Sequence, residues 1–383
     1  MINDVIILYG EVINMETKKE LRLWKILTLI ATCLLLVVGG LYVNATSKNN
    51  QNEEIVVPEK EEEISYLSLW NDDAKAKVEL EEYMKAITDE NNADFIPVEN
   101  RVAVFDLDGT LFCETDPVYF DHMLFMHRVL DDPNHTASEF ELEVAKKVQE
   151  FIDTGEYPEG LDNLHGQGVA SAFAGMSVKQ FYDYVAEFGK TASPGYNNMN
   201  RGDAFYLPMV EIIDYLQNND FKVYIVSGTD RLIVRGAMQG LSFFHIPNNQ
   251  IIGSDELLVS PNQGDTDGLD YVFTADDELI LAGQFIIKNL KMNKVTVIAQ
   301  EIGIQPVLSF GNSSGDYSMA NYTVNNNPYR SLAFMLCCDD IVRENGNEAK
   351  AQKMAEACEK NGWIAISMKN DWKTIYGDEV TRK

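Results

Sequence analysis

The chain has 383 residues, of which 45% are hydrophobic and 10% aromatic, a composition typical of a globular protein with one or two domains. Its formal net charge is -29, from 60 acidic and 31 basic residues, so its surface repels phosphate backbones, which argues against nucleic-acid binding. Its five cysteines form no CxxC pair, which argues against a disulfide framework and a zinc site.

An uncharged apolar segment lies near the N-terminus, over residues 26–43, and as a helix it would span about 27 Å, close to the hydrocarbon thickness of a membrane. Basic side chains precede this segment, and a polar, acidic linker over 46–64 follows it. Two interpretations stay open: residues 1–45 are an uncleaved signal anchor, or they are a signal peptide that is cleaved after Ala45. Both predict membrane contact through this segment and a body outside the cytoplasm.

Beyond the linker, the chain alternates between helical and strand patterns. Apolar residues three or four positions apart predict helices over 71–90, over several stretches of 113–200, and over 208–218. Apolar runs predict strands over 102–106, 221–229, 305–316, 331–340 and 362–368, and turn residues predict short antiparallel strands over 255–285.

Apolar strands that alternate with helices are typical of an α/β fold, here a Rossmann-like parallel sheet with helices on both faces. The long helical stretch after the first strand predicts a second, smaller domain inserted into the first. We therefore expect a core domain over 65–112 and 201–383, and a mainly helical cap domain over 113–200.

Three predicted strands end in clusters of polar residues. In RVAVFDLDGTLF, Asp106 and Asp108 directly follow an apolar run, where paired negative charge needs a metal ion, a cation or hydrogen bonds to offset its desolvation. Ser227 and Gly228 end the second strand, and GNSSGD over 311–316 ends the third. Because ligands bind beyond the carboxyl ends of strands in open α/β sheets, we expect these clusters to converge.

These residue types suit phosphoryl transfer through an aspartyl-phosphate. Asp106 would attack phosphorus as the nucleophile, and Asp108 would protonate the leaving oxygen and later activate water. Ser227 would hold a phosphoryl oxygen, and a lysine would balance the charge of the intermediate. Mg²⁺ takes oxygen ligands, so Asp316 and the two other aspartates would bind it, while backbone N–H groups around 107–110 cradle the phosphate.

At these residues the chain resembles the haloacid-dehalogenase superfamily, in its phosphoserine-phosphatase-like branch with a helical cap. The first motif of that family, DxDGT, matches residues 106–110; the second, a strand that ends in Ser or Thr, matches VYIVSGT; the fourth matches GNSSGD. The third motif is a lysine. Lys294 stands at the usual short distance before the strand of the fourth motif, and Lys288 and Lys291 remain alternatives.

The resemblance covers about residues 65–370 and implies a phosphatase of the haloacid-dehalogenase type, a phosphoric monoester hydrolase that uses Mg²⁺. The phosphate-binding residues that it implies are Thr110, Ser227, Gly228 and Lys294, and the metal ligands are Asp106, Asp108, Asp316 and Asn312. The sequence departs from the family at Asn312, where the motif has an acid. We therefore expect Asp316 to carry the charge and Asn312 to be a weak or outer ligand.

Two other functions stay open beside hydrolysis. An acid at position 108 is also compatible with a phosphomutase that uses the same residues. An anchored binding protein with an idle site is the other alternative, although a decayed site should have lost some of Asp106, Asp108, Ser227 and Asp316, and all four are present.

The expected substrate is a small phosphomonoester, because the cap is long enough to close over the crevice. Glu114 and Asp116 lie on the connection into the cap and would attract an ammonium group, and Tyr119 and Phe120 would add a cation–π face. This pattern makes phosphorylcholine, phosphoethanolamine and phosphoserine the first compounds to test.

Overall fold

The computed structural model describes residues 66–383, and the predicted signal segment and the whole acidic linker lie outside these residues. Within this range, no helix combines the length and the apolar character needed to cross a bilayer. The four cysteines of this range, Cys113, Cys337, Cys338 and Cys358, are free thiols.

A seven-stranded sheet forms the centre of the molecule, in the order β5-β4-β3-β1-β6-β7-β8. All neighbouring strands are parallel except β4 and β5, which are antiparallel. The strands are β1 (Val102–Phe105), β3 (Lys222–Asp230), β4 (Ile251–Val259), β5 (Ile280–Ile287), β6 (Leu308–Gly311), β7 (Leu332–Cys337) and β8 (Ile364–Ser367), and a separate two-stranded sheet pairs β2 (Tyr196–Asn197) with β9 (Thr381–Arg382). The predicted α/β class with a mainly parallel sheet is confirmed.

Eleven α-helices accompany the strands of this part of the chain. They are α1 (Lys75–Thr88), α2 (Phe120–Leu130), α3 (Glu139–Thr154), α4 (Leu161–Ala172), α5 (Val178–Gly189), α6 (Leu207–Gln217), α7 (Arg231–Ala237), α8 (Met292–Val297), α9 (Tyr317–Val324), α10 (Glu348–Asn361) and α11 (Met368–Asp371). Helices α2 to α5 all fall between β1 and β2, in the stretch where the sequence predicted a helical cap.

The central strand β1 is covered on both faces. Ala103 and Phe105 pack into the largest apolar cluster, whereas Val104 belongs to a separate cluster with Val226 and Ile298. Because side chains of a strand alternate between faces, this division places apolar layers on both sides of the sheet. The rings of Phe105 and its β6 neighbour Phe310 stack at 4.2 Å, in register with the strand pairing.

The β4–β5 pair differs from the expected set of short strands over 255–285. Strand β4 begins at Ile251. Its first residues pair parallel with β3, and its later residues pair antiparallel with β5. Strand β5 also contacts the helical segment after β1: the Leu281 N–H donates to the Met176 carbonyl, and the Gly175 N–H donates to the Leu281 carbonyl. The helical cap is therefore joined to the sheet at β5 as well as at the ends of its own segment.

Candidate active site

The polar clusters of β1, β3 and β6 meet at one edge of the sheet. These three strands are adjacent and parallel, so their carboxyl ends lie side by side, as the crevice rule requires. A cavity of about 290 Å³ opens there. Its lining residues from the sheet edge are Asp106, Asp108, Gly228, Thr229, Lys288, Leu290, Lys291 and 313–316, and those from the segment after β1 are Glu114, Tyr119, Asp121, His122, Tyr157 and Asp162.

Both carboxylate oxygens of Asp106 accept hydrogen bonds. Lys294 Nζ donates to Oδ1 at 2.5 Å, and Thr110 Oγ1 donates to Oδ2 at 3.3 Å. Only 6% of the residue is exposed. Burial raises the pKa of Asp106 to about 6, and the negative charge of Asp316 adds to this effect, while Lys294 opposes it.

Lys294 is the lysine that contacts the aspartates, among the three that the sequence proposed. Its Nζ lies between Asp106 Oδ1, at 2.5 Å, and Asp316 Oδ1, at 2.7 Å, and the residue is fully buried. Burial alone would lower the pKa of Lys294, but the two carboxylates outweigh it and raise that pKa above its ordinary value. Lys288 and Lys291 line the cavity without such a contact.

Asp108 is half-buried at the cavity and accepts a hydrogen bond of 2.7 Å from Thr229 Oγ1. Burial raises the pKa of Asp108 to about 8, and the charges of Asp121 and Asp106 add to the rise. A carboxyl group with a raised pKa can carry a proton near neutral pH, which a general acid requires.

Asp316 is fixed by the loop that precedes it. Its Oδ2 accepts from the backbone N–H groups of Asn312 and Ser313, both at 3.1 Å, while its Oδ1 faces Lys294. The side chain of Asn312 packs over Gly109: a Cβ atom at that position would lie 1.9 Å from Asn312 Nδ2. Asn312 thus lies against the loop of the first motif and close to Glu114 of the cavity wall, and its role as a weak or outer metal ligand stays a prediction.

The predicted phosphate-binding residues all lie near the catalytic cavity, but they differ in how far their side chains are exposed. Thr110 and Ser227 are both fully buried, and Ser227 Oγ accepts from the Thr229 N–H at 3.0 Å. Gly228 lines the cavity, and a Cβ there would lie 2.7 Å from Leu290 Cδ2. A side chain at position 228 would therefore require the Leu290 side chain to move.

The predicted substrate residues divide into two pairs. Glu114 and Tyr119 line the cavity. Asp116 points elsewhere: its carboxylate accepts from Ser193 Oγ at 2.6 Å and from the Gly195 N–H at 2.7 Å, so its charge is already compensated. Phe120 packs edge-on against other rings in the core. The basis for an ammonium-binding subsite is therefore reduced to Glu114 and Tyr119.

Several lining residues lie on the helices and were not found by sequence reasoning. His122 and His165 stack at 3.8 Å, and His122 Nδ1 lies 2.7 Å from Asp121 Oδ1. Their ligand atoms and that of Asp121 lie within 4.8 Å of one another. The ring planes are only 18° apart, so the in-plane lone pairs of the two imidazoles do not converge on one ion.

The charge balance at the sheet edge tests whether a divalent cation fits there. Asp106 and Asp316 share a single buried ammonium group, that of Lys294, whereas Asp108 accepts from the neutral Thr229 hydroxyl. The pKa values of Asp106 and Asp108 are raised because burial disfavours their ionised forms. A divalent cation that prefers oxygen ligands would compensate this excess of carboxyl groups. The residues present therefore fit Mg²⁺.

Comparison with known proteins agrees with this arrangement. Residues 103–321 match the family model described as haloacid dehalogenase-like hydrolase. No curated protein matches the sequence. Because the match spans more than half of the chain and includes the elements that carry the site, the protein belongs to the haloacid dehalogenase-like hydrolase family, which confirms the resemblance and the prediction of an enzyme.

Solved structures with similar folds share little sequence with the chain. A conserved protein of unknown function from Anaerococcus prevotii is 13% identical, with a TM-score of 0.46 over 76% of this chain and 91% of that one. Cytosolic 5'-nucleotidase IIIB bound to cytidine is 13% identical, with a TM-score of 0.45 over 78% and 88%. A phosphoserine phosphohydrolase-like protein from Francisella tularensis is 12% identical, with a TM-score of 0.35 over 66% and 92%.

Proposed function

We propose that the protein is a Mg²⁺-dependent phosphomonoester hydrolase that acts through an aspartyl-phosphate. The observation that carries this proposal is the position of Asp106, whose carboxylate meets the ammonium group of Lys294 at 2.5 Å in the cavity that Asp108 also lines. A nucleophile and an acid thus line one space, and a buried cation contacts the nucleophile, as this reaction requires.

The two half-reactions use the same pair of carboxyl groups. An oxygen of Asp106 attacks phosphorus and forms a P–O bond, the ester P–O bond breaks, and the proton of Asp108 passes to the leaving oxygen. Asp108, now ionised, then takes a proton from water, whose oxygen attacks the phosphorus of the acyl phosphate. Inorganic phosphate leaves and the carboxylate of Asp106 is restored. Thr229 would hold Asp108 in place for both proton transfers.

Asp106, Asp108 and Asp316 are the residues that would hold Mg²⁺. Bound there, the ion would offset the negative charge of the carboxylates and of the phosphoryl group. Lys294 contributes a fixed positive charge at the nucleophile, and the Thr110 hydroxyl orients the other oxygen of Asp106.

Activity measurements test this proposal directly. Release of inorganic phosphate from a panel of small phosphomonoesters should require Mg²⁺ and should stop when EDTA is added. Asp106→Asn should abolish turnover, because the amide cannot attack phosphorus. Unchanged turnover of this variant would refute the proposal. A beryllium fluoride adduct on Asp106 would support the role of that side chain as the nucleophile.

We also propose that the body of the protein lies outside the cytoplasmic membrane. The support comes from sequence: the uncharged segment 26–43, the basic residues before it and the acidic linker after it. Protease added to intact cells should remove the body of the chain. Full protection from the protease, with degradation only after lysis, would contradict this location.

A further inference from the structure

A second cavity lies beside the candidate active site. It has a volume of about 460 Å³, and Glu114 and Tyr119 line both this side cavity and the catalytic one. Their side chains therefore form the partition between the two spaces. The ring of Tyr119 faces Phe151 of the side cavity at 6.2 Å and Tyr157 of the catalytic cavity at 6.4 Å.

One part of the wall of the side cavity is apolar, where Val118, Phe151 and Ile152 contribute their side chains. Two polar residues of the remaining wall are already engaged: Asp116 accepts from Ser193 and Gly195, and Thr115 Oγ1 donates to Glu344. Asn345 and Lys350 lie at the exposed rim, where Asn345 Nδ2 donates to the Thr115 carbonyl at 2.9 Å.

The catalytic cavity is small for a complete substrate, and the side cavity offers additional space. Ligand pockets usually measure about 300–1,000 Å³, so a cavity of about 290 Å³ is at the lower end of the range. It must already contain the phosphoryl group and the cation that its carboxylates fit. A larger leaving group therefore reaches the wall of the cavity at Glu114 and Tyr119, and the side cavity lies directly beyond these residues.

We propose that the side cavity is a subsite for the leaving group, and that the substrate is a phosphomonoester whose leaving group carries an apolar arm. This inference rests on the proposed phosphatase function. The phosphoryl group lies at Asp106, the ester oxygen lies near Asp108, and the arm passes the partition and packs against Phe151 and Ile152.

A series of n-alkyl phosphates from ethyl to octyl tests the subsite on the full-length chain, with inorganic phosphate as the readout. Each methylene that enters an apolar space should raise kcat/KM about fourfold, until the apolar part of the cavity is filled. Ile152→Trp would narrow the side cavity beside Phe151 and should lower the ratio of octyl to ethyl phosphate hydrolysis at least tenfold. Leu142→Trp is the matched control, because Leu142 is an exposed residue on the same helix, and it should keep the wild-type ratio.

The possible results separate this inference from the proposed function. If p-nitrophenyl phosphate and ethyl phosphate are hydrolysed but kcat/KM does not rise with chain length, the subsite is refuted and the phosphatase stands. An equal loss for both alkyl phosphates in Ile152→Trp also refutes the subsite. If no phosphomonoester of the series is hydrolysed while the chain is folded, both proposals are refuted.

Discussion

Lys294 Nζ and Asp106 Oδ1 lie 2.5 Å apart, although 188 residues separate them in the sequence. The lysine is fully buried and also contacts Asp316, so one ammonium group serves carboxylates from two different strand ends. Such an arrangement balances part of the buried negative charge and at the same time fixes the nucleophile. Function and stability therefore depend on the same side chain.

Lys294→Met should lower kcat for p-nitrophenyl phosphate about 100- to 1,000-fold, because the intermediate loses its fixed positive charge. The same change leaves two buried carboxylates without their partner and should reduce the free energy of unfolding by about 3 kcal/mol. Steady-state kinetics and urea denaturation measure the two effects. Lys353→Met, at an exposed position of α10, is the control and should change neither. A Lys294→Met enzyme with wild-type kcat would contradict the assignment.

Thr229→Val should impair the acid more than the nucleophile. Removal of the 2.7 Å hydrogen bond from Thr229 Oγ1 leaves Asp108 without its orienting donor. We expect kcat for ethyl phosphate, a poor leaving group, to fall about tenfold, and kcat for p-nitrophenyl phosphate to fall much less, because p-nitrophenolate needs little protonation. Thr229→Ser keeps a hydroxyl and should restore both rates. Equal losses for the two substrates would indicate a general effect on folding instead.

Gly109→Ala tests the close packing of the first-motif loop. Gly109 has φ +79°, and an added Cβ would lie 1.9 Å from Asn312 Nδ2 and 2.5 Å from Glu114 Cδ. We expect a loss of at least about 2 kcal/mol in the free energy of unfolding, larger than the 1–2 kcal/mol typical of the left-handed conformation alone. Gly362→Ala is the matched control, because Gly362 has φ +72° and no atom within 4 Å of the added Cβ. Similar losses in both variants would show that backbone strain, and not steric overlap, determines the cost.

Sequence reasoning located the core of the site because its residues follow strands. The positions of Asp106, Asp108 and Asp316 depend on strand ends, and strands are recognisable from their apolar runs. Residues on the helices after β1 were harder to place, since their position over the sheet depends on packing between distant segments. Asp121 and His122 therefore line the cavity, although no sequence signal could have identified them.

Asp116 illustrates a different limit of sequence reasoning. Its position near the first motif suggested a role in substrate binding, but the turn around Ser193 and Gly195 supplies two donors to its carboxylate. Those donors lie about 80 residues downstream, and no local pattern connects them to Asp116. The start of β4 at Ile251 also lacks a local sequence pattern, because it is determined by pairing with β3.

The burial of Glu256 predicts how the free energy of unfolding depends on pH. Only 8% of this residue of β4 is exposed, and neither of its carboxyl oxygens has a hydrogen-bond partner. Burial, assisted by the charges of Asp230 and Asp255, raises the pKa of Glu256 from its ordinary value of 4.5 to about 9. Between these two values the folded chain holds a proton that the unfolded chain has released, so the free energy of unfolding falls as the pH rises from about 4.5 towards 9.

Glu256→Gln removes this titration and should flatten the pH dependence of stability. Between pH 5 and pH 8 we expect the wild-type chain to lose about 1–3 kcal/mol more than the variant, as each pKa unit corresponds to about 1.4 kcal/mol. Urea denaturation of both proteins at a series of pH values measures the difference. Glu278→Gln, at an exposed position before β5, is the control and should follow the wild-type curve. If the curves of the wild type and Glu256→Gln run parallel, Glu256 ionises in the folded chain as readily as in the unfolded one, and its burial does not control stability.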